Sequence, residues 1–294
     1  LLEINNFNPN HIILIDYPGF NLRLAKKIKY KYKIPITYYI SPQLWAWKEN
    51  RINLVRKYID QMLVIFPFEE KWYKERGIQA RFVGHPISNQ LKKYNSDAIL
   101  NYFGFENSDK IITLYPGSRN QEFKKHFPIL LKMANKLHTK NKQIKFILGL
   151  SSSINIDEIT IPDWIIIEKD DPRKSLECAD LALVASGTST LEAAVFGTPM
   201  IIIYKMSNIS WFISKLFVKV KYAGMVNIIA ESMIMPELLQ NDFNSSNLYD
   251  MTLKIIKNPE CIKKMKSDLS DIKDSLFINE KNKSAAEYIT NLSG

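Results

Sequence analysis

The sequence predicts an α/β protein of two doubly wound parallel-sheet domains facing a common crevice, and three observations predict it. Short apolar runs of strand length alternate with amphipathic stretches along most of the chain. The alternation falls into two successive series, separated by a polar stretch at residues 90–97. Turns carrying glycine, serine and charged residues follow several strand ends, which is where open parallel sheets receive ligands.

Residues 1–9 read as a loop or helix end leading into a strand, and because the first residue is Leu1 rather than Met, the natural start is expected to lie upstream. In the first series, strands are expected at 11–15, 36–40, 61–65 and 81–84, with helices at 21–32, 48–58 and 69–76 between them. Gly84-His85-Pro86 closes it. The second series has strands at 110–115, 144–149, 164–167, 181–185 and 200–204, with helices such as 122–139 and 189–196. From Pro236 onward the strand signal vanishes, and helices are expected at 246–257, 259–274 and 280–291. The domains are therefore placed at 1–90 and 91–294, and no short-period repeat is visible.

With 294 residues, 46% of them hydrophobic and 24% charged, the chain can bury a large core and is globular rather than disordered. No apolar run approaches the roughly 20 residues of a membrane-spanning helix, so a cytoplasmic placement is expected. Cys178 and Cys261 stand alone, without the spacing of a disulfide framework or a zinc site. The net charge of +10 favours anionic partners. Most of it is lysine spread along the chain, however, and no nucleic-acid role is expected.

The expected chemistry begins after the strand ending at Tyr115, where Pro116-Gly117-Ser118-Arg119 and then Glu122 open a long amphipathic helix. Glycine lets the backbone approach a ligand, free amides at a helix start favour negative charge, and a guanidinium holds a phosphate through two parallel bonds. The competing reading is a tight turn with a solvated arginine. A second such turn follows the strand 181–185: Ser186, Gly187, Thr188, Ser189 and Thr190 supply hydroxyls, a glycine and unpaired amides. Glu192 could accept both hydroxyl hydrogens of a ribose. Ser189-x-x-Glu192 is equally the pattern of a capping box, in which the carboxylate only ties back to the first helical amide.

Asp16 directly follows an apolar strand and precedes Tyr17-Pro18-Gly19-Phe20-Asn21. A carboxylate there could serve as the general base that takes a proton from an acceptor hydroxyl as it attacks a sugar's anomeric carbon, or it could merely cap the next helix. His11, His85, His126 and His138 lack metal-ligand spacing, and no Asp-x-Asp occurs, so neither metal nor cofactor is expected. Arg119 and the two helix starts would then have to stabilise a leaving diphosphate by themselves. Aromatic and basic residues mix at Trp45-Ala46-Trp47-Lys48 and at Trp211-Phe212-Ile213-Ser214-Lys215. Each stretch reads either as core packing or as a surface that enters a lipid interface.

Taken in order, Ile15-Asp16-Tyr17-Pro18-Gly19-Phe20-Asn21, Ser41-Pro42-Gln43-Leu44-Trp45-Ala46-Trp47, Phe66-Pro67-Phe68-Glu69, Phe82-Val83-Gly84-His85-Pro86, Leu114-Tyr115-Pro116-Gly117-Ser118-Arg119 and Ala185-Ser186-Gly187-Thr188 resemble the lipid-A-disaccharide synthase family. The resemblance runs on past Asn227-Ile228-Ile229-Ala230 and covers nearly the whole chain. It implies a GT-B fold with two Rossmann-like domains facing an interdomain cleft. It also implies an inverting, metal-independent transfer from UDP-2,3-diacylglucosamine to 2,3-diacylglucosamine 1-phosphate, or lipid X. By matching motif, Asp16 takes the place of the family's strand-end aspartate, Arg119 that of its Gly-Ser-Arg arginine, and Asn227 that of an asparagine counted with the donor-binding set.

The family's glycine-rich first segment has no counterpart here, so the resemblance implies an incomplete N-terminal domain. Gly19 stands where many relatives carry a second acidic residue, which leaves Asp16 as the acidic candidate of its block. The expected acceptor, acyl or membrane contacts are Phe20, Trp45, Trp47, Trp211, Phe212 and Lys215, with an anionic inner-membrane surface as partner and peripheral attachment to it; a homodimer is left open. The rival readings are another UDP-GlcNAc-dependent GT-B transferase, a UDP-GlcNAc 2-epimerase and, least favoured, a non-enzymatic basic binding protein. The Trp-Ala-Trp block argues against both GT-B rivals.

Overall fold

The computed structural model describes residues 1–87, 96–157, 159–207, 211, 220–278 and 283–293. These form two compact units, one made of 1–87, 220, 275–278 and 283–293, the other of 96–157, 159–207, 211 and 221–274.

In the first unit, β1 (Ile12–Ile15), β2 (Ile36–Tyr39), β3 (Gln61–Val64) and β4 (Ala80–Phe82) make a parallel sheet in sequential order β1-β2-β3-β4. Each crossover carries a helix: α2 (Pro18–Lys31) follows β1, α3 (Ile52–Tyr58) follows β2, and α4 (Pro67–Lys74) follows β3, while α1 (Leu2–Phe7) precedes the sheet. Parallel strands need such crossovers, and β2 reads as an apolar run because it is covered. α2 buries Leu22, Ala25 and Ile28 on one face, starting from a proline whose missing N–H costs nothing in the first turn. Those side chains meet Ile36, Tyr38, Met62 and Val64 from the sheet in one core. β1 and β4 are the edge strands of this sheet, and on β1 Ile13 and Ile15 are exposed. The end of the chain, α12 (Ala285–Ser293), touches this unit, Gln61 Nε2 donating to the Tyr288 carbonyl at 3.4 Å.

The second unit opens with α5 (Ser96–Phe103), so the polar stretch expected as a linker is helical from Ser96; residues 90–95 lie outside the described residues. Its sheet contains β5 (Lys110–Tyr115), β6 (Ile144–Gly149), β7 (Ile165–Glu168), β8 (Leu181–Ala185), β9 (Met200–Tyr204) and β10 (Glu237–Leu239). The order is β10-β9-β8-β5-β6-β7, all parallel. Winding starts at β5 and proceeds outward to β7 on one side, then resumes at β8 and proceeds to β10 on the other. The direction therefore reverses between β5 and β8, the switch point at which such sheets open a crevice beyond their carboxyl ends. α6 (Asn120–Lys140), α7 (Arg173–Glu177), α8 (Ser189–Phe196) and α9 (Met225–Ile229) form its helical layers, and α10 (Ser245–Ile256) and α11 (Pro259–Leu276) follow.

β10 corrects the expectation that no strand follows Pro236. It is only three residues long, begins with a glutamate and pairs on one side alone, so neither length nor apolar pattern signals it.

Candidate functional site

The turns expected to carry chemistry lie at strand carboxyl ends. In the second unit, β5 ends in the 116–119 turn and α6 begins at Asn120, with Arg119 as its N-cap. Next to it, β8 ends in the 186–188 turn and α8 begins at Ser189. Two helix starts thus flank the switch point, and in α8 the Thr190 and Leu191 amides are already taken by the Gly187 and Thr188 carbonyls. Gly117 has φ +109°, and a Cβ there would lie 2.5 Å from Glu122 Oε2 and 3.3 Å from the Ala185 Cβ. Glycine is required at that position both for its backbone angle and for space.

A cavity of about 440 Å³ opens between these turns. Of the expected residues, Gly117, Ser118, Thr188, Ser189 and Glu192 line it, together with Tyr115, Gly149 and a corner formed by 169–173. The other expected residues stand back from it. Arg119 extends into solvent, 78% exposed, with Nη1 3.1 Å from Glu122 Oε1, and the Glu122 carboxylate tucks beneath the Gly117 turn. Ser186 Oγ donates to the Ala223 carbonyl at 2.6 Å, and the buried Thr190 Oγ1 donates to the Gly187 carbonyl at 2.8 Å. Both hydroxyls hold the loop's shape.

Glu192 does not form the capping box. The N-cap is Thr188, which makes no side-chain cap bond, and Ser189 is already helical. Instead Glu192 Oε2 accepts the Tyr115 hydroxyl at 3.2 Å at the cavity wall. Burial raises the Glu192 pKa above the usual carboxylate range, and the Tyr115 hydrogen bond and the Arg173 charge oppose that rise. Tyr115 itself is pushed well above an ordinary phenol by burial and by the Glu192 charge, so it stays a donor. Gly149 makes room for the Tyr115 ring, since a Cβ there would fall 2.7 Å from it.

Asn227 is a correction. Its side chain is fully buried and all its bonds are used internally: Nδ2 donates to the Met235 carbonyl and to Glu237 Oε1, both at 2.8 Å, and Oδ1 accepts the Ile234 and Met235 amides at 3.0 and 2.9 Å. Glu237 in turn accepts the Ala223 and Gly224 amides. A side chain so saturated holds the 223–237 loop and has nothing left for a ligand.

The 169–173 corner was missed by sequence reasoning. Asp171 and Arg173 form an ion pair with Nε 3.0 Å from Oδ1. The signal existed, because this turn follows β7 as the others follow β5 and β8. It lacks glycine, and its helix α7 is only five residues long.

In the first unit, Asp16 and Tyr17 are consecutive left-handed residues, with φ 46° and 44°. Neither is glycine, so the turn is strained by roughly 1–3 kcal/mol per residue and must be held from outside. Three groups hold it: the Asp16 carbonyl accepts Asn21 Nδ2 at 2.7 Å and the Tyr38 hydroxyl at 2.6 Å, and the Asp16 amide donates to the Tyr39 carbonyl at 3.0 Å. Tyr17, not Asp16, is the N-cap of α2, and no side chain caps it. The Asp16 carboxylate is exposed and is not a cap.

The aromatic candidates divide. Trp45 is buried, with Nε1 donating to Glu69 Oε1 at 3.0 Å and its ring edge-on to Phe68, so it packs the interior rather than meeting lipid. Trp47 is 45% and Phe20 52% exposed, and Lys48 Nζ lies 4.2 Å from the Trp47 ring centroid. Trp211 is partly exposed, while Phe212 and Lys215 lie outside the described residues. Among the described residues no His, Cys, Asp and Glu cluster could hold a metal, and no helix is long and apolar enough to cross a membrane.

The chain matches the family described as lipid-A-disaccharide synthetase over residues 1–291. It is 38% identical to lipid-A-disaccharide synthase 1 of Legionella pneumophila (strain Paris) over 283 residues, covering 93% of this chain and 73% of that protein. The lipid-A-disaccharide synthase of Coxiella burnetii (strain CbuG_Q212) is 33% identical over 287 residues, covering 97% of this chain and 76% of the relative. Among solved structures, a spinosyn rhamnosyltransferase complexed with thymidine diphosphate matches with a TM-score of 0.64 at 11% identity, covering 100% of this chain and 75% of that one. The UDP-GlcNAc 2-epimerase of Neisseria meningitidis bound to UDP-GlcNAc matches with a TM-score of 0.59 at 13% identity, covering 93% and 78%. These structural likenesses are of fold alone.

Proposed function

The chain belongs to the lipid-A-disaccharide synthase family, and on that premise we propose how its residues carry the reaction. It is a GT-B glycosyltransferase: the sugar of UDP-2,3-diacylglucosamine passes to lipid X with inversion, giving lipid A disaccharide 1-phosphate and UDP.

The observation that carries the residue assignment is the meeting of two helix starts on one cavity at the switch point. The donor's diphosphate binds there, against the amides that open α6 and α8, with Gly117 permitting close approach and Ser118, Thr188 and Ser189 offering hydroxyls. Arg119 stands at the rim on a flexible stem and closes on the phosphates as UDP leaves, exchanging its exposed pairing with Glu122 for a charge-assisted one. Glu192, held by Tyr115 through one oxygen, offers the other to the ribose hydroxyls. Asp16, on a turn fixed by Asn21 and Tyr38, takes the proton from the acceptor hydroxyl.

The division into an acceptor-side part, 1–90, and a sugar-nucleotide part, 91–294, belongs to the same proposal, with the residues after 274 joined to the first by their contacts. So does peripheral attachment at the cytoplasmic side of an anionic inner membrane. It is supported by exposed Tyr17, Phe20 and Trp47 beside Lys48, and by the net charge of +10.

The test supplies UDP-2,3-diacylglucosamine and lipid X with a chelator present. Disaccharide and UDP should form in equal amounts, and Asp16→Asn should abolish both without changing UDP affinity. No disaccharide from the parent enzyme, or undiminished turnover by Asp16→Asn, would overturn the assignment.

A further inference from the structure

His126 is fully buried in the second turn of α6, seven residues beyond Arg119, and has no part in the chemistry above. Its Nδ1 lies 2.7 Å from the Pro116 carbonyl, and its Nε2 lies 2.9 Å from the Lys205 amide and 3.2 Å from the Lys205 carbonyl. An amide N–H can only donate, and its contact is the shorter of the two, so in the neutral ring we read Nε2 as accepting the Lys205 amide. The proton is then on Nδ1 and is donated to Pro116. The neutral ring thus joins the residue after β5 to the residue after β9, the two strands that flank β8. Tyr204 and Phe243 stand edge-on to the imidazole at 5.7 and 5.5 Å and fix its plane.

We propose that neutral His126 is the positioning residue that sets the Gly117-Ser118-Arg119 turn for the donor's diphosphate, by tying the Pro116 carbonyl to the Lys205 loop across the end of β8. The inference rests on the reading of this cavity as the donor site. Pro116 is the residue from which the chain enters the left-handed Gly117 conformation. A fixed Pro116 carbonyl fixes the peptide plane that leads into Gly117, and with it the direction of the amides that follow. The family reading assigns this residue nothing; its role follows from burial, bond geometry and tautomer.

The tether is pH-sensitive. A protonated ring still donates to Pro116 but must exchange the Lys205 amide for the Lys205 carbonyl, 3.2 Å from Nε2, which re-sets the loop at 205. Burial holds the His126 pKa below its ordinary 6.5, with its contacts to the Pro116 and Lys205 carbonyls and the Glu122 charge opposing and Lys125 assisting. The ionisable groups facing it are Glu122 and Lys125 on its own helix and the Tyr204 phenol at the end of β9.

The experiment titrates UDP into the full chain by calorimetry between about pH 8 and about pH 5.5, for the parent, His126→Leu and His126→Gln. Leucine removes both bonds and should weaken UDP about tenfold at pH 8. Glutamine carries a donor and an acceptor at its tip and does not titrate. It should restore most of the affinity at pH 8 and lose less of it than the parent as pH falls below 6.5; ionisation of UDP itself is common to both. Unchanged affinity in the leucine variant, no recovery with glutamine, or parallel acid losses in parent and glutamine variant would each overturn the inference. If the leucine variant does not fold, the glutamine comparison decides. A parent chain that binds no UDP at any pH sinks the donor-site reading itself; a parent that binds with a leucine variant to match sinks only the role of His126.

Discussion

Replacing Glu69 by alanine should destabilise the first unit by about 3 kcal/mol, because one carboxylate satisfies four donors in its interior. Glu69 is 1% exposed. Its Oε1 accepts the Ser41 hydroxyl at 2.6 Å and Trp45 Nε1 at 3.0 Å; its Oε2 accepts the amides of Ile65 and Phe66 at 3.2 and 3.0 Å. Each buried donor left without a partner costs about 1–3 kcal/mol, so four at the lower limit lose about 4. Against this, the substitution removes a carboxylate whose own burial is unfavourable, as the upward push on its pKa shows, and we set about 1 kcal/mol against the loss for that. Urea unfolding followed by tryptophan fluorescence reads the change, with Trp45 reporting directly on the lost bond. Glu69 has a folded pKa above its unfolded value, so its contribution is fully present below about pH 4.5 and is lost as pH rises through the folded pKa. The cost of Glu69→Ala should therefore be larger near pH 4 than near pH 7. A loss under about 1 kcal/mol, or a cost that grows with pH, would refute the account of this cluster.

Tyr115→Phe should weaken UDP about three- to tenfold, the value of one hydrogen bond to a carboxylate, and should move the acid limb of UDP binding upward because that bond lowers the Glu192 pKa; an unmoved limb in a UDP titration across pH would separate Tyr115 from Glu192. Arg119→Ala should lower turnover at least tenfold while leaving the melting temperature within about 2 °C, since its pairing with Glu122 is exposed and worth little; a thermal shift beyond that, with turnover intact, would make Arg119 structural. His85 is buried, accepts the Ile87 amide at 3.1 Å through Nδ1, and has its pKa lowered to about 4 by burial. Its folded pKa is depressed, so stability is present above about 6.5 and is lost as pH falls toward about 4. His85→Asn keeps an acceptor near Nδ1 and should flatten that acid loss in denaturation curves; an identical pH profile would assign the loss elsewhere.

Periodicity along the chain was enough to place nine of the ten strands, since buried parallel strands must be apolar runs and their crossovers must be amphipathic. The 116–119 and 186–188 turns were legible for the same reason: a glycine between a strand end and a helix start is a local signal. Local signals did not reveal what each side chain does. Glu192 satisfies the capping-box pattern but sits beside Tyr115, which is 77 positions away in sequence, and its role depends on that neighbour. Asn227 carries a motif-matched expectation yet spends every bond on its own loop and on Glu237, which lies in the one strand that periodicity did not place. Trp45 could have faced lipid or core, and the buried carboxylate of Glu69 on α4 decided for the core. Sequence alone therefore determined the fold class, the family and the places where a ligand can approach, because these follow from hydrophobic periodicity and from residues adjacent in the chain. Which side chains line the cavity at those turns was decided only by the tertiary structure, because a polar group's freedom to bind depends on whether distant residues have already claimed its hydrogen bonds.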